Sequence, residues 1–157
     1  MPLLLLLFFL PFLALGQLNE IPDSNLKAGY VFPPRQILFE YNKATLKPEA
    51  IPCLDSLAEF LVKHKTLVIE VGNHTDTRWS DKYSSCLSCK RARAIADYLI
   101  SKGLPPDRLL PKGYNATKPL IPHSEIEKLQ NKEEIEKAHS INRRTEFKIL
   151  RTDYPGQ

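Results

Sequence analysis

The sequence has little of several features that mark particular classes of protein. Its net charge is only +4 over 157 residues, too small and too dispersed to predict nucleic-acid binding. It has only three cysteines, so at least one must stay unpaired in any disulfide scheme. With 43% apolar and 25% charged residues, the composition is that of one globular domain without a second core.

The cysteines offer little evidence of chemistry. Cys86 and Cys89 have the spacing of a redox pair or of half a metal site, but no second pair is present, and none of the four histidines lies at zinc-finger spacing from them. On a helix the two side chains would lie about one turn apart, which favours a packing role. We therefore expect no metal and no cofactor, while the disulfide state of Cys53, Cys86 and Cys89 stays open.

The first sixteen residues contain no charged side chain. They include a dense apolar stretch from Leu3 to Leu10 and end in Ala-Leu-Gly, a small-x-small cleavage pattern. This predicts a secretory signal peptide over residues 1–16, with cleavage before Gln17. An uncleaved membrane anchor is the alternative, since about 17 apolar residues can just span a bilayer. No cysteine follows closely, so we expect no lipid anchor.

The rest of the chain alternates strand-like and helix-like patterns. Residues 17–35 read as a lead-in segment with a short strand at Tyr30–Phe32. Alternating apolar residues predict a strand at Ile37–Tyr41, and Pro48 then opens an amphipathic helix whose apolar residues recur at three- and four-residue steps to Leu61. The β-branched run Leu67–Val71 predicts a second strand that ends at the following Gly-Asn pair.

The second half continues the alternation. Ser84 is the expected N-cap of a second helix that ends near residues 102–103, and a short strand is expected over residues 107–114. A charged helix at Ser124–Ala138 would form an insertion. A closing strand over residues 144–150 would place Thr145, Phe147 and Ile149 on one face.

This order, β-α-β-α-β-(α)-β, predicts an α/β fold of the α+β sandwich type. Two long helices would pack on one face of a mixed four-stranded sheet. The predicted domain covers residues 36–151, followed by a C-terminal tail at 152–157.

An acid and an arginine 15 positions apart are the main candidates for a binding site. Asp76 follows the second predicted strand, and Arg91 lies on the helix after it, so both can reach one pocket mouth. Together they suit a zwitterion, because a carboxylate accepts from an ammonium and a guanidinium grips a carboxylate with its planar fork. The alternative is that the two residues pair with one another or are separately solvated.

Five blocks of sequence, in order, resemble the OmpA-like peptidoglycan-binding domain of the OmpA and MotB C-terminal type. They are ILFEYNKATLKPEA, NHTD, LSCKRARAIADYLISKGL, DRLLPKGY and INRRTEF, and the match runs from Ile37 to Leu150. The resemblance implies non-catalytic binding to the peptidoglycan stem peptide at its meso-diaminopimelate residue. The free end of that residue carries an amine and a carboxylate, which is the zwitterion that the acid and the arginine suit.

The resemblance also assigns the ligand-binding residues. The acid of the His-Thr-Asp motif is Asp76, and the arginine of the Leu-Ser-x-x-Arg-Ala motif is Arg91. The other positions implied to border the ligand are a strand end, the loop after the second strand, the start of the second helix and the Asn-Arg-Arg motif: Tyr41, Asn42, Thr75, Thr77, Ser84 and Arg143.

Two departures from the family pattern bear on affinity. Trp79 stands where the family usually has glycine, and Ser84 stands where it usually has asparagine. The shorter Ser84 can cap a helix but would replace a direct ligand hydrogen bond by a water-mediated one or lose it. An alternative function is therefore a periplasmic protein-interaction module of the same fold with weak or lost peptidoglycan affinity.

An enzyme is the least favoured class of function. His74 next to a carboxylate could suggest a general base, but no nucleophile or metal partner accompanies it, and the resemblance makes it a loop-shaping residue. We expect an exported protein that is periplasmic or associated with the outer membrane. It would act through an outer-membrane or periplasmic partner protein, through an uncleaved signal, or as a free wall-binding protein, and the sequence does not choose among these.

Overall fold

The computed structural model describes residues 21–33, 35, 37–78 and 81–155, with residues 81–86 described by their backbone alone. The predicted signal peptide and Trp79 lie outside these residues, as does the start of the predicted lead-in segment. Among the described helices, none combines the length and the hydrophobicity that crossing a bilayer requires.

The first helix begins at Ile51, three residues after the predicted start at Pro48. A 3-10 turn at Pro48–Ala50 leads into α1, Ile51–Lys63, with proline near the first helical position, where its missing N–H costs nothing. The apolar residues at three- and four-residue spacing face the interior and are buried: Leu54, Leu57, Ala58, Phe60 and Leu61. The predicted amphipathic helix is therefore confirmed.

In the described residues, three strands form one mixed sheet in the order β2-β1-β3. The central strand β1, Val68–His74, is buried along its whole length and runs parallel to β2, Leu109–Asn115. It runs antiparallel to β3, Thr145–Arg151, in which Thr145, Phe147 and Ile149 are buried as predicted. Helix α2, Asp81–Ser101, connects β1 to β2 and packs on both strands.

The predicted fourth strand at Ile37–Tyr41 is not found as a strand. Its backbone instead turns back on the residues that follow it: Glu40 N–H donates to Thr45 O at 2.9 Å, and Lys47 N–H donates to Leu38 O at 3.0 Å. We call this segment, residues 38–47, the hairpin. Its two arms are joined by an isolated antiparallel bridge between Phe39 and Leu46. Alternation alone predicted an extended segment correctly but could not identify its pairing partner.

Part of the predicted lead-in segment lies at the free edge of β3 instead. Phe32 N–H donates to Phe147 O at 2.9 Å, and Arg35 exchanges two backbone hydrogen bonds with Thr145, each 2.9 Å long. Proline cannot donate to a ladder, and Pro33 interrupts this pairing, so the contacts remain isolated bridges rather than a strand.

Three further boundaries differ from the prediction. The strand β1 continues through Gly72 and Asn73, because both residues pair with β2 on one side and with β3 on the other. Gly72 lies against the Tyr114 ring, which leaves little room for a side chain. Helix α2 begins at Asp81, so Ser84 lies inside the first turn and is not the N-cap. The predicted helix at Ser124–Ala138 is two helices: α3, His123–Ile126, and α4, Lys132–Asn142.

The core lies between the sheet and the two long helices. It is built from α1, α2 and the buried faces of β1 and β3, with Leu54, Ile69, Ile95, Leu99 and Ile149 fully buried. Strand β2 and helix α2 approach very closely at Gly113, where an added Cβ would lie 2.5 Å from the backbone nitrogen of Cys89. Packing of α2 on the sheet fixes where its side chains lie relative to the end of β1.

Candidate functional site

A cleft of about 710 Å³ opens where β1 ends. Four parts of the chain line it: the hairpin and the residue before it, the loop after β1, one face of α2, and α4 with the residue that follows it. The lining residues are Ile37, Leu38, Phe39, Glu40, Tyr41, Asn42, Thr75, Asp76, Arg78, Leu87, Arg91, Glu136 and Arg143. The cleft therefore brings together groups that are up to about a hundred positions apart in the sequence.

Asp76 lies at the bottom of this cleft with its side chain fully buried. Its Oδ2 accepts hydrogen bonds from Arg78 Nη2 at 2.7 Å, from Arg78 Nε at 3.1 Å and from Arg143 Nη1 at 2.6 Å. Its Oδ1 accepts from the backbone N–H of Arg78 at 3.1 Å. The buried carboxylate is thus paired and hydrogen-bonded, as a buried charge must be.

Glu136 on α4 binds the same two arginines from the outside. Arg78 Nη1 donates to Glu136 Oε2 at 2.8 Å, and Arg143 Nη2 donates to Glu136 Oε1 at 2.7 Å. Charges therefore alternate in sign around a closed ring of Asp76, Arg78, Glu136 and Arg143, which we call the charge ring. Such charge-assisted bonds fix the positions of all four side chains.

The charge ring shifts the pKa of its acids. Burial on its own raises the pKa of Asp76, but hydrogen bonds from Arg78 and Arg143 outweigh burial, and the pKa lies below its usual value. The Arg143 hydrogen bond likewise lowers the pKa of Glu136 despite some desolvation, with a smaller contribution from Arg78. Both acids are therefore ionised at neutral pH.

Arg91 lines the cleft from α2. Its Nε donates to the backbone oxygen of Lys43 at 2.9 Å, and its guanidinium lies 4.8 Å from the centre of the Phe39 ring. Both contacts are with the hairpin, so Arg91 joins α2 to the hairpin and is held there by a hydrogen bond and a cation–π contact. Among the described residues, the ion pairs of Asp76 are with Arg78 and Arg143.

The other predicted site residues divide into three groups. Thr75, Tyr41 and Asn42 line the cleft together with Arg143. Tyr41 is 80% exposed at the rim, and the turn that carries it is made by Asn42 with φ of 55°.

Thr77 does not line the cleft. Its hydroxyl lies 3.2 Å from His123 Nδ1. The side chain of Ser84 is not among those that the structure describes.

Two residues of the charge ring, Arg78 and Glu136, are absent from the predicted set. Arg78 could have been suspected, because an arginine two positions after a loop aspartate can fold back onto its carboxylate. Glu136 has no local signal, since only the return of α4 across the end of β1 brings it to the cleft.

His74 lies in β1 below the loop, rather than in the loop itself. Its ring stacks on Tyr114 with 4.8 Å between centroids and an angle of 8° between the planes. Its Nε2 is 3.6 Å from Glu146 Oε2, while Arg144 Nε donates to Glu146 Oε1 at 2.7 Å. Among the described residues no group of three or more His, Cys, Asp or Glu side chains is arranged to hold a metal ion.

Solved structures share this architecture. An outer membrane protein from Borrelia burgdorferi B31 is 28% identical with a TM-score of 0.57, and the match covers 79% of this chain and 90% of that chain. The cell wall anchor of the T6SS from Pseudomonas aeruginosa is 27% identical with a TM-score of 0.57, covering 73% of this chain and 75% of that chain. The predicted combination of helices with a mixed sheet is therefore shared with solved structures, although the described sheet has three strands rather than the predicted four.

The family follows from the sequence match. Residues 38–133 match the OmpA family, and this chain belongs to that family. Outer membrane protein A of Shigella flexneri is 37% identical over 101 residues, which are 63% of this chain and 29% of that protein. The chain spans less than half the length of the curated relatives it matches.

Proposed function

We propose that this chain is a non-catalytic peptidoglycan-binding module. It holds the diaminopimelate residue of the stem peptide between Asp76 and Arg91, with help from Arg143. It thereby associates an exported protein, located in the periplasm or at the outer membrane, with the cell wall. The observation that carries the proposal is that one cleft in an OmpA-family fold contains all three of these side chains.

The charges of the cleft suit a zwitterionic ligand. Asp76 provides a negative pole at the bottom, and Arg91 provides a positive pole on the wall formed by α2. Arg143, already bonded to Asp76, lies where it can contact a carboxylate beside a bound ammonium. Charge-assisted bonds to both ends of one ligand give affinity and select its geometry.

The size and shape of the cleft also fit a peptide side chain. A volume of about 710 Å³ lies within the range of about 300–1,000 Å³ that is typical of ligand sites. Its walls include apolar side chains of Ile37, Leu38, Phe39 and Leu87, which can cover the methylene chain of diaminopimelate. An apolar wall with a few charged groups is the usual composition of such a site.

One observation favours the alternative function, a protein-interaction module of this fold without peptidoglycan affinity. Asp76 Oδ2 already accepts from two arginines and the side chain is fully buried, so a ligand ammonium cannot reach the carboxylate in this conformation. If the charge ring never opens, Asp76 is a structural residue and the family fold serves another partner.

Co-sedimentation with purified sacculi separates the two functions. The proposal expects the chain to sediment with diaminopimelate-containing sacculi and expects Arg91→Ala to remove most of the bound fraction. The matched control is Arg93→Ala, because Arg93 lies on the same helix but is 69% exposed and pairs with Asp97. Absence of the wild-type protein from the pellet would favour the protein-interaction module.

A further inference from the structure

Asp76 cannot receive a ligand cation without a change in its present partners. Three N–H groups already point at Oδ2, whereas a carboxylate oxygen has lone-pair sites for about two donors. Oδ1 accepts the backbone N–H of Arg78 at 3.1 Å, and burial rather than a second donor keeps a ligand from it. The side chain is also fully buried, so solvent does not reach it. Any ammonium that binds Asp76 must therefore take the place of a guanidinium.

Arg78 is the partner that can leave. It supplies two of the three donors to Oδ2, and its side chain is 45% exposed, compared with 31% for Arg143. Its Nη1 is bonded to Glu136, whose side chain is 55% exposed, so Arg78 has an acceptor on the solvent side. Rotation away from Asp76 would leave this second ion pair in place.

We propose that Arg78 is a specificity-determining residue that acts as an internal counter-ion and is exchanged for the ligand's ammonium at Asp76. This inference rests on the proposed function. One cation leaves the carboxylate as another arrives, so no unpaired charge is buried at any stage. A neutral or anionic group cannot drive the exchange, because it would leave Asp76 without its main partner.

The exchange and a purely structural role for Arg78 predict different effects of its removal on ligand affinity. If Arg78 competes with the ligand, its removal lowers the cost of binding and raises affinity. If Arg78 only holds the loop and orients Asp76, its removal lowers affinity or leaves it unchanged. The two roles therefore predict opposite signs for the same substitution.

The experiment compares Arg78→Gln with wild type by calorimetric titration of the full chain with a diaminopimelate-containing stem peptide. We expect Arg78→Gln to bind about two- to five-fold more tightly. This ratio of dissociation constants corresponds to the free energy of a partly exposed ion pair, which the ligand no longer has to break. Arg78→Lys, which keeps the charge but loses the fork, should lie between the two. Arg93→Gln removes the same charge from an exposed site and should bind like wild type.

A stem peptide whose side-chain amine is acetylated tests the mechanism of any gain. Neither protein should bind it measurably, because a neutral amide can neither replace the Arg78 guanidinium in wild type nor supply the positive charge that Asp76 lacks in Arg78→Gln. Equal or weaker binding of Arg78→Gln to the unmodified peptide, in a protein whose circular dichroism matches wild type, overturns the exchange while the proposed function stands. If Arg78→Gln does not fold, a weaker-binding Arg78→Lys overturns the exchange equally.

Failure of the proposed function looks different. If neither wild type nor Arg78→Gln binds the peptide, the function fails and the exchange falls with it. If only Arg78→Gln binds, both are supported, and Arg78 is strong enough to keep the ligand out of the wild-type protein.

Discussion

Arg143 Nη1 donates to Asp76 Oδ2 at 2.6 Å across 67 positions of sequence. The bond joins the loop after β1 to the residue that follows α4, so the bottom of the cleft is fixed by two segments that fold together only in the finished domain. The acid is therefore oriented before any ligand arrives, which reduces the ordering cost of binding.

Substitutions at the two poles should weaken binding to sacculi. Asp76→Asn removes the negative pole at nearly constant shape, and Arg91→Ala removes the positive pole. Each should reduce affinity roughly ten- to more than hundred-fold, the value of a charge-assisted hydrogen bond of about 1.5–3 kcal/mol. Sedimentation with a dilution series of sacculi measures this, with Arg93→Ala as the control. We call the holding of diaminopimelate between Asp76 and Arg91 the clamp, and wild-type affinity of both variants would refute it.

Binding should depend little on pH between about 8 and 5. The pKa of Asp76 already lies below its usual value because hydrogen bonds from Arg78 and Arg143 outweigh its burial, so the acid stays ionised throughout this interval. Affinity for the stem peptide should therefore stay constant over this interval. A fall in affinity with a midpoint between pH 5 and 7 would contradict the ionised state assigned to Asp76.

Glu146 should stabilise the fold in a pH-dependent way. His74 and Arg144 together, against an opposing effect of burial, lower its pKa from 4.5 to about 2. A lowered pKa in the folded state adds stability above about pH 4.5, and this stability is lost as the pH falls towards 2. At neutral pH, Glu146→Gln should lower the free energy of unfolding by at most about 3 kcal/mol.

Urea unfolding at several pH values tests this prediction. The difference between wild type and Glu146→Gln should shrink between pH 4.5 and 2. Glu127→Gln is the control, because its ion pair with His123 is exposed and should contribute less than about 1 kcal/mol. A difference that stays constant over this interval would show that Glu146 is not held ionised by its neighbours.

Gly113→Ala should destabilise the domain by about 1–3 kcal/mol. The added Cβ would lie 2.5 Å from both the Cys89 nitrogen and the Ser88 hydroxyl, so α2 would have to move away from β2. Thermal unfolding measures the loss, and Leu110→Ala on the same strand, at a side chain that is 50% exposed, should cost less. Equal losses would mean that the close approach at Gly113 is relaxed at no cost.

Periodic patterns predicted the regular part of this fold well. Helices α1 and α2 and strands β1, β2 and β3 all occur where three-to-four-residue spacing or apolar runs indicated them. The extended segment at Ile37–Tyr41 was misassigned because its partner is a local hairpin rather than the sheet. Alternation records burial on two sides of a chain, and it does not record which backbone completes the hydrogen bonds.

The break between α3 and α4 did have a local signal. Asn131 Oδ1 accepts from Glu133 N–H at 2.8 Å and caps α4, and a glutamate at the third helical position completes the sequence pattern of a capping box. The charged composition of the whole insertion concealed that start.

Of the residues that line the cleft, Asp76 and Arg91 were predicted from their chemistry and from family motifs. Glu136 could not be predicted, because it reaches the cleft only through tertiary folding.

The most direct test of the clamp is a comparison of two ligands. Diaminopimelate differs from lysine by one carboxylate on the far carbon, so a site that recognised only an ammonium through Asp76 would bind stem peptides of either kind. Arg91 and Arg143 should contact the extra carboxylate, and with lysine these guanidinium groups would lose that partner. The expected preference is about 1.5–3 kcal/mol, or roughly ten- to more than hundred-fold.

Calorimetric titration of the purified chain with matched diaminopimelate- and lysine-containing stem peptides measures this preference. The account predicts tighter binding of the diaminopimelate peptide, with the preference largely removed by Arg91→Ala. Equal affinity of the wild-type protein for the two peptides would contradict the clamp, even if the protein sediments with cell walls.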